Sequence, residues 1–316
     1  MVSNSNYLEM AVPQFVGPLA TGHLPVTTGR YIYVHYTGSG VSVGLDSHIP
    51  VVTSINTAVG KTRSNKSDVI VVLPGHVETL SSSTALALNV AGVTIVGLGA
   101  GNSRPTITLD TATTTTIAVS ADNVTVSNMI FTANFADIAA VFSVGAAKNF
   151  TLNGCYIKAT ATDMNFLTVV DTNATTADAS GLTVINNKWI EPDLATLNMV
   201  KMDGTNADVV IAGNFVQLGV NNNVAALMAE ATGKVVTNAQ ILRNRVYRLN
   251  TDTATGAILV TTDGSTNSGV IAENFVQHAD TSGELLITAS SGYGVFNNYA
   301  SGVAGASGYL LPAADA

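Results

Sequence analysis

Four aspartates have the spacing for carboxylate chemistry. Asp137, Asp163 and Asp252 each stand eleven residues after the last aliphatic residue of a phrase that the chain repeats. Asn222 holds the same offset, and Asp193 falls two places short of it. If copies of the phrase stack, these carboxylates lie about 5 Å apart, the separation used by a retaining glycosidase. Such a pair also suits a shared cation. Aspartate and asparagine are equally good turn formers that lead into a following strand. Asp137 precedes the apolar run Ile138–Val144 and Asp163 precedes Phe166–Val170, as turn residues should. The turn reading therefore comes first, and no catalytic residue, metal or other cofactor is assigned.

The other reactive side chains carry less. Of the histidines His23, His35, His48, His76 and His278, three lie in or beside the first fifty residues. None has a metal-ligand spacing such as HxxxH, so each is read as packing or solvent-facing. The single cysteine, Cys155, excludes internal disulfides and reads as a small core residue on a strand. Arg243, Arg245 and Arg248 form the one arginine cluster of the repeats and read as a solvated face. Aromatic residues make up 6 % of the chain, with one tryptophan. Phe131, Tyr156, Trp189, Phe215, Phe275 and Tyr299 recur at similar places, with Val246 among them. That column reads as an internal aromatic stack, against the alternative of a flat platform for sugars.

The elements that must position these residues are set by the repeat. Its copies are VTVSNMIF (124–131), FTLNGCYI (150–157), LTVINNKWI (182–190), VVIAGNFV (209–216), AQILRNRVY (239–247), GVIAENFV (269–276) and GVFNNY (294–299), with a looser VTIVGLG (93–99). The anchors are Ile95, Val126, Leu152, Val184, Ile211, Ile241, Ile271 and Val295, separated by 31, 26, 32, 27, 30, 30 and 24 residues. A period of this size marks a solenoid. The triplets alternate and are β-branched, which suits half-buried strands rather than helices. About 29 residues hold three short strands and three bends, one coil of a right-handed parallel β-helix with coils about 4.8 Å apart. About eight coils are expected, a rod on the order of 40 Å long. Three places after the anchor stand Asn187, Asn214, Asn244, Asn274 and Asn298. Stacked at one bend, they tolerate left-handed backbone and bond amide to amide, a structural ladder.

At the start, residues 52–63 place Val52, Ile55 and Val59 on one face of a short helix, capped by Thr53 or Ser54. Next come the strand from Asp68 to Gly75, alternating Leu86, Leu88 and Val90, and Val93–Gly97. This order resembles the pectin-lyase-like β-helix superfamily, in which a capping helix precedes a "gDxIvvxPG" strand and a "vTIxGxG" strand opens the first full coil. The resemblance covers about residues 50–300. It implies the fold and leaves function open, because the superfamily holds lyases, hydrolases, adhesins and phage proteins. The turn at Pro74, Gly75 and His76 is similar to the Gly-His-Gly of β-helical polygalacturonases, but it lies on another coil and lacks the second glycine and the paired aspartates. The Asp-rich calcium patch and catalytic arginine of pectate lyases are not found either. The arm, the capping helix, the VIVVLPGH strand and the TANFADIAAVFSV coil are similar to β-helical proteins encoded with phage head genes.

Composition narrows the setting. The 316 residues are 47 % hydrophobic and 11 % charged, enough for a large core. No apolar run approaches the length of a membrane-spanning helix. MVSNSNYLEM lacks a basic region followed by an apolar stretch, so no signal peptide is read there. A net charge of −8 argues against nucleic acid and anionic membranes as partners. Residues 1–50 read as an extended arm, 51–300 as the β-helix, and 301–316 as a C-terminal cap or tail. The arm carries Tyr7, Leu8, Phe15, Val16, Leu19 and Leu24, more apolar groups than a solvated linker needs, and these are the candidate docking residues. The resulting expectation is a bacteriophage virion protein, a capsid decoration or head-fibre protein assembled in the host cytoplasm. Its partners would be copies of itself, as a homotrimer, and the major capsid protein or another virion protein. The alternatives are a tailspike-type or secreted polysaccharide lyase or hydrolase using the aspartate column, and an adhesin.

Overall fold

The computed structural model describes residues 24–172, 179–192, 195, 197–219, 225–248, 260–261, 266–278, 287–288, 292–301 and 308–310. It is an all-β parallel solenoid. One coil runs through Thr125–Ser127, turns, continues as Ile130–Ala133, and closes with Phe142–Val144. The next coil repeats this with Thr151–Asn153, Tyr156–Ala159 and Thr168–Asp171. Corresponding strands pair in parallel and build three long sheets. The eight anchors from Ile95 to Val295 are consecutive register partners in the first sheet. Because side chains alternate along a strand, one buried anchor per coil fixes which residues face inward. The coil count differs by sheet: the first has eleven strands, the second ten and the third eight.

The extra strands come from the ends. Tyr31–Val34, expected to be part of an extended arm, lies in the first sheet between Val51–Val52 and Val69–Val72. A boundary at residue 50 therefore falls inside the packed unit. The physical reason is that Tyr33 and Val34, beside Val71 and Val72, are buried on opposite faces of this sheet, Val34 in the main core and Tyr33 in a second cluster with Val69 and Val71. The capping helix is five residues, Ile55–Val59, and Ser54 is its N-cap, accepting the Thr57 N–H at 3.2 Å. At the far end Gly308–Leu310 pairs antiparallel with Asn298–Ser301 and covers that edge of the second sheet.

Asp68, the aspartate of the "gDxIvvxPG" strand, is fully buried. It accepts N–H bonds from Arg30 and Arg63 at 2.8 Å each, and the Arg63 guanidinium at 2.7 and 3.2 Å. Burial alone would raise its pKa. The Arg63 guanidinium and the two backbone donors outweigh that and hold it below the usual carboxylate value.

The asparagine column forms a ladder. The Oδ1 of Asn214, Asn244, Asn274 and Asn298 accepts the backbone N–H of the column residue one coil earlier, at 2.9–3.1 Å. Each Nδ2 from Asn187 to Asn274 donates to the next Oδ1, at 2.9–3.2 Å. Each also donates to a backbone carbonyl of the preceding coil. Left-handed backbone lies one residue earlier, at Asn186, Gly213, Arg243, Glu273 and Asn297, so the ladder residues are chosen for their amides and not for φ. Cys155 continues the column and donates its N–H to Asn187 Oδ1 at 2.9 Å. Its thiol is fully buried, and burial pushes its pKa up to about 12, so it is inert.

Candidate functional site

Asp137 and Asp163 do not stack as counted. Ile138 bridges to Phe166, a separation of 28 residues, whereas Asp137 and Asp163 are 26 apart. The polar loop of the second coil is two residues longer, so Asp137 stands level with Asn165. Its N–H donates to Asn165 Oδ1 at 2.8 Å, and its carboxylate accepts from Asn165 Nδ2 at 3.2 Å. Asp137 has a φ of 53°, as a turn residue does. Both Asp137 and Asp163 are exposed. Asp193, Asp252 and Asn222 lie outside the described residues, as do Tyr7, Leu8, Phe15, Val16 and Leu19. Leu24 is half-buried against the N-terminal cluster around Leu73 and Val96.

A charged triad that equal offsets do not find lies on the outer face of the third sheet. Asp171 and Lys201 are register partners on adjacent coils, and Asp203 follows on the same face. Lys201 Nζ lies 3.6 Å from Asp171 Oδ2 and in closer contact with Asp203 Oδ2. The Asp203 N–H donates to Thr172 Oγ1 at 3.0 Å. Burial raises the Asp171 pKa; Lys201 opposes the rise and Asp203 adds to it. Burial lowers the Lys201 pKa, but the two carboxylates win and its pKa lies above the ordinary value. A carboxyl with raised pKa beside a second carboxylate is chemistry for general acid–base work. Here the ammonium occupies the space between the two. The sequence signal was a Lys-x-Asp pair facing an aspartate one 30-residue step earlier.

The aromatic column splits into two faces. Phe131, Ile157, Trp189, Val216, Val246 and Val276 are register partners that point inward and are buried. Tyr156, Phe215, Phe275 and Tyr299 stand one residue earlier on their strands and so face outward from the second sheet. An offset of one residue reverses the face of a strand side chain, which the similar places in sequence concealed. Along this outer row the register reads Tyr156, Lys188, Phe215, Arg245, Phe275, Tyr299.

Lys188 Nζ sits over both the Tyr156 ring and the Phe215 ring, 5.1 and 5.6 Å from their centroids. Lys158 Nζ and the Arg104 guanidinium also lie over Tyr156, at 5.6 and 5.9 Å. Tyr247, in the next outward row, packs between Phe215 and Phe275 at centroid distances of 5.2 and 6.1 Å. Among the described residues, none of Lys158, Lys188 and Arg245 forms an ion pair with a carboxylate.

The arginine cluster splits in the same way. Arg245 is exposed on this row, Arg243 pairs with Glu273 at 2.6 Å, and Arg248 is buried, so one solvated face does not describe the three. Of the histidines, His48 is exposed and His35 and His76 are buried, with ring centroids 6.4 Å apart. Among the described residues, no three His, Cys, Asp or Glu side chains gather as a metal site, and no helix is long and apolar enough to cross a membrane.

No known family model matches the chain. No curated protein matches it in sequence. Among solved structures the chain is similar to a mutant pectate lyase of Bacillus subtilis, with 8 % identity and a TM-score of 0.37, covering 93 % of this chain and 88 % of that one.

Proposed function

We propose that the chain is a structural protein of a bacteriophage virion, a capsid decoration or head-fibre protein whose solenoid serves as a stiff rod. The observation that carries this reading is the interior. An apolar core and a ladder of five asparagines run from coil to coil, each coil bonded to the next. Stiffness follows from nearest-neighbour stacking, which needs no ligand. The rod is proposed to associate as a homotrimer and to dock on the major capsid protein or another virion protein through Tyr7, Leu8, Phe15, Val16, Leu19 and Leu24. The test is to purify particles from cells carrying the gene and to locate the chain by density. A rod at fixed sites on the head supports the reading, and protein absent from particles while abundant in the lysate overturns it. Light scattering at micromolar concentration reads the trimer directly.

A second reading, an enzyme acting on polysaccharide, is favoured by the triad of Asp171, Lys201 and Asp203. Asp137 is level with and bonded to Asn165, so it forms no carboxylate pair with Asp163, and Asp193 and Asp252 lie outside the described residues. Release of reducing ends or unsaturated products from bacterial polysaccharides, abolished by Asp171→Asn, would establish this reading instead.

A further inference from the structure

We propose that His35 and His76, buried side by side at the N-terminal end of the rod, form an acid-sensitive latch that holds residues 36–59 over the first coil. His35 follows the strand Tyr31–Val34, and His76 lies in the turn between Val69–Val72 and Val77–Leu80. Both side chains are buried, and their ring centroids are 6.4 Å apart. The two residues are far apart in sequence, so only the packed chain brings the rings together.

The site has a partner for one imidazolium and none for a second. His76 Nε2 lies 3.2 Å from Glu78 Oε2. The same oxygen accepts the N–H of Ile55, the first residue of the capping helix, at 2.9 Å. His76 Nδ1 is buried without a hydrogen-bond partner. The groups that face His35 are His76, the Tyr36 ring, the Thr37 hydroxyl and the Pro74 carbonyl. No carboxylate pairs with His35 among the described residues. A proton on each ring therefore sets two cations against Glu78 alone, out of reach of water.

Burial, and next the neighbouring His76, hold the His35 pKa below the ordinary histidine value, and the Pro74 carbonyl opposes them without prevailing. The closed chain thus takes up this proton less readily than the open one. Its stability is full above the unfolded value and is lost as pH falls from there toward the folded value. The loss is local, because the latch joins the covering segment at two points. His35 N–H donates to the Val52 carbonyl at 2.9 Å, and Glu78 holds the start of the helix. Between them Leu45 packs on the outer cluster with Val69 and Val71, while Ile55, Ala58 and Val59 pack in the main core. Release uncovers apolar surface and the strand edge of Tyr31–Val34 and leaves the later coils stacked. The latch is compatible with either reading of the protein's role and depends on neither.

The experiment is hydrogen exchange of the full chain at about pH 7.5 and about pH 5, corrected for the intrinsic pH dependence of exchange. Asp68, with its lowered pKa, stays ionised throughout this window. Peptides within 31–60 are expected to open at least about threefold more at the lower pH, with 182–190 unchanged. His35→Gln, which cannot take up the charge, should abolish the difference, and His48→Gln, at an exposed site, should keep it. Carbon-13 spectra of histidine-labelled wild type read the His35 titration directly and need no variant. Equal exchange at the two pH values overturns the proposal. So does a His35 titration at or above the free histidine value, or an acid response that survives in a folded His35→Gln variant.

Discussion

Replacing Asn214 removes the middle of the ladder and should be the most informative perturbation of this fold. Its Oδ1 accepts the Asn187 N–H at 2.9 Å and the Asn187 Nδ2 at 3.2 Å. Its Nδ2 donates to the Val184 carbonyl at 2.8 Å and to Asn244 Oδ1 at 3.0 Å. In Asn214→Ala the buried Asn187 N–H loses the acceptor that the ladder gives it. An orphaned buried donor costs about 1–3 kcal/mol, and the space left by the amide adds to this. A loss of about 2–4 kcal/mol is expected. Asn214→Asp should be worse at neutral pH. A carboxylate keeps both acceptor roles but faces the Val184 carbonyl and Asn244 Oδ1 with no hydrogen to offer. The folded protein would raise the pKa of that aspartate. Stability is then fully present below the unfolded value and lost as pH rises through the folded one, so the defect should shrink in acid.

Asn153→Ala is the control, because Asn153 lies outside the ladder and its Oδ1 makes one long bond, at 3.4 Å, to Asn186. Urea unfolding followed by circular dichroism gives the stability. Hydrogen exchange of a peptide spanning 182–190 reads the Asn187 amide itself. A cost for Asn214→Ala no larger than that of Asn153→Ala, with exchange at 182–190 unchanged, would refute the claim that the ladder holds the coils together.

Two further substitutions probe the frame. Glu273 sits at a φ of 58°, where an L residue costs about 1–2 kcal/mol and asparagine costs less. Its exposed pair with Arg243 is worth at most about 1 kcal/mol, so Glu273→Asn should raise the unfolding free energy by about 0.5 kcal/mol, and a clear loss would contradict the strain. Asp68→Asn should cost about 2–3 kcal/mol at neutral pH by weakening the acceptor that serves Arg30 and Arg63. Because the folded pKa of Asp68 is depressed, that stability exists above the unfolded carboxylate value and is lost as pH falls through the folded one. Wild type and variant should therefore converge in acid titrations of thermal stability.

The sequence by itself determined the solenoid, its sheets and its ladder. Local spacing sufficed for these, because each coil contacts only its neighbours and the aliphatic anchors recur at a nearly constant interval. The amide column was legible for the same reason, although its left-handed residue lies one place earlier than the turn chemistry implied. Tertiary structure decided everything that depends on counting within the variable loops. Two extra residues before Phe166 set Asp137 against Asn165, and a one-residue offset turned Tyr156, Phe215 and Phe275 outward while Trp189 stayed in the core. The triad of Asp171, Lys201 and Asp203 arises only where two adjacent coils meet. Strand pairing sets the level and face of each side chain. An offset measured from one strand does not survive a loop whose length changes from coil to coil, so the sites on this rod follow from register and not from period.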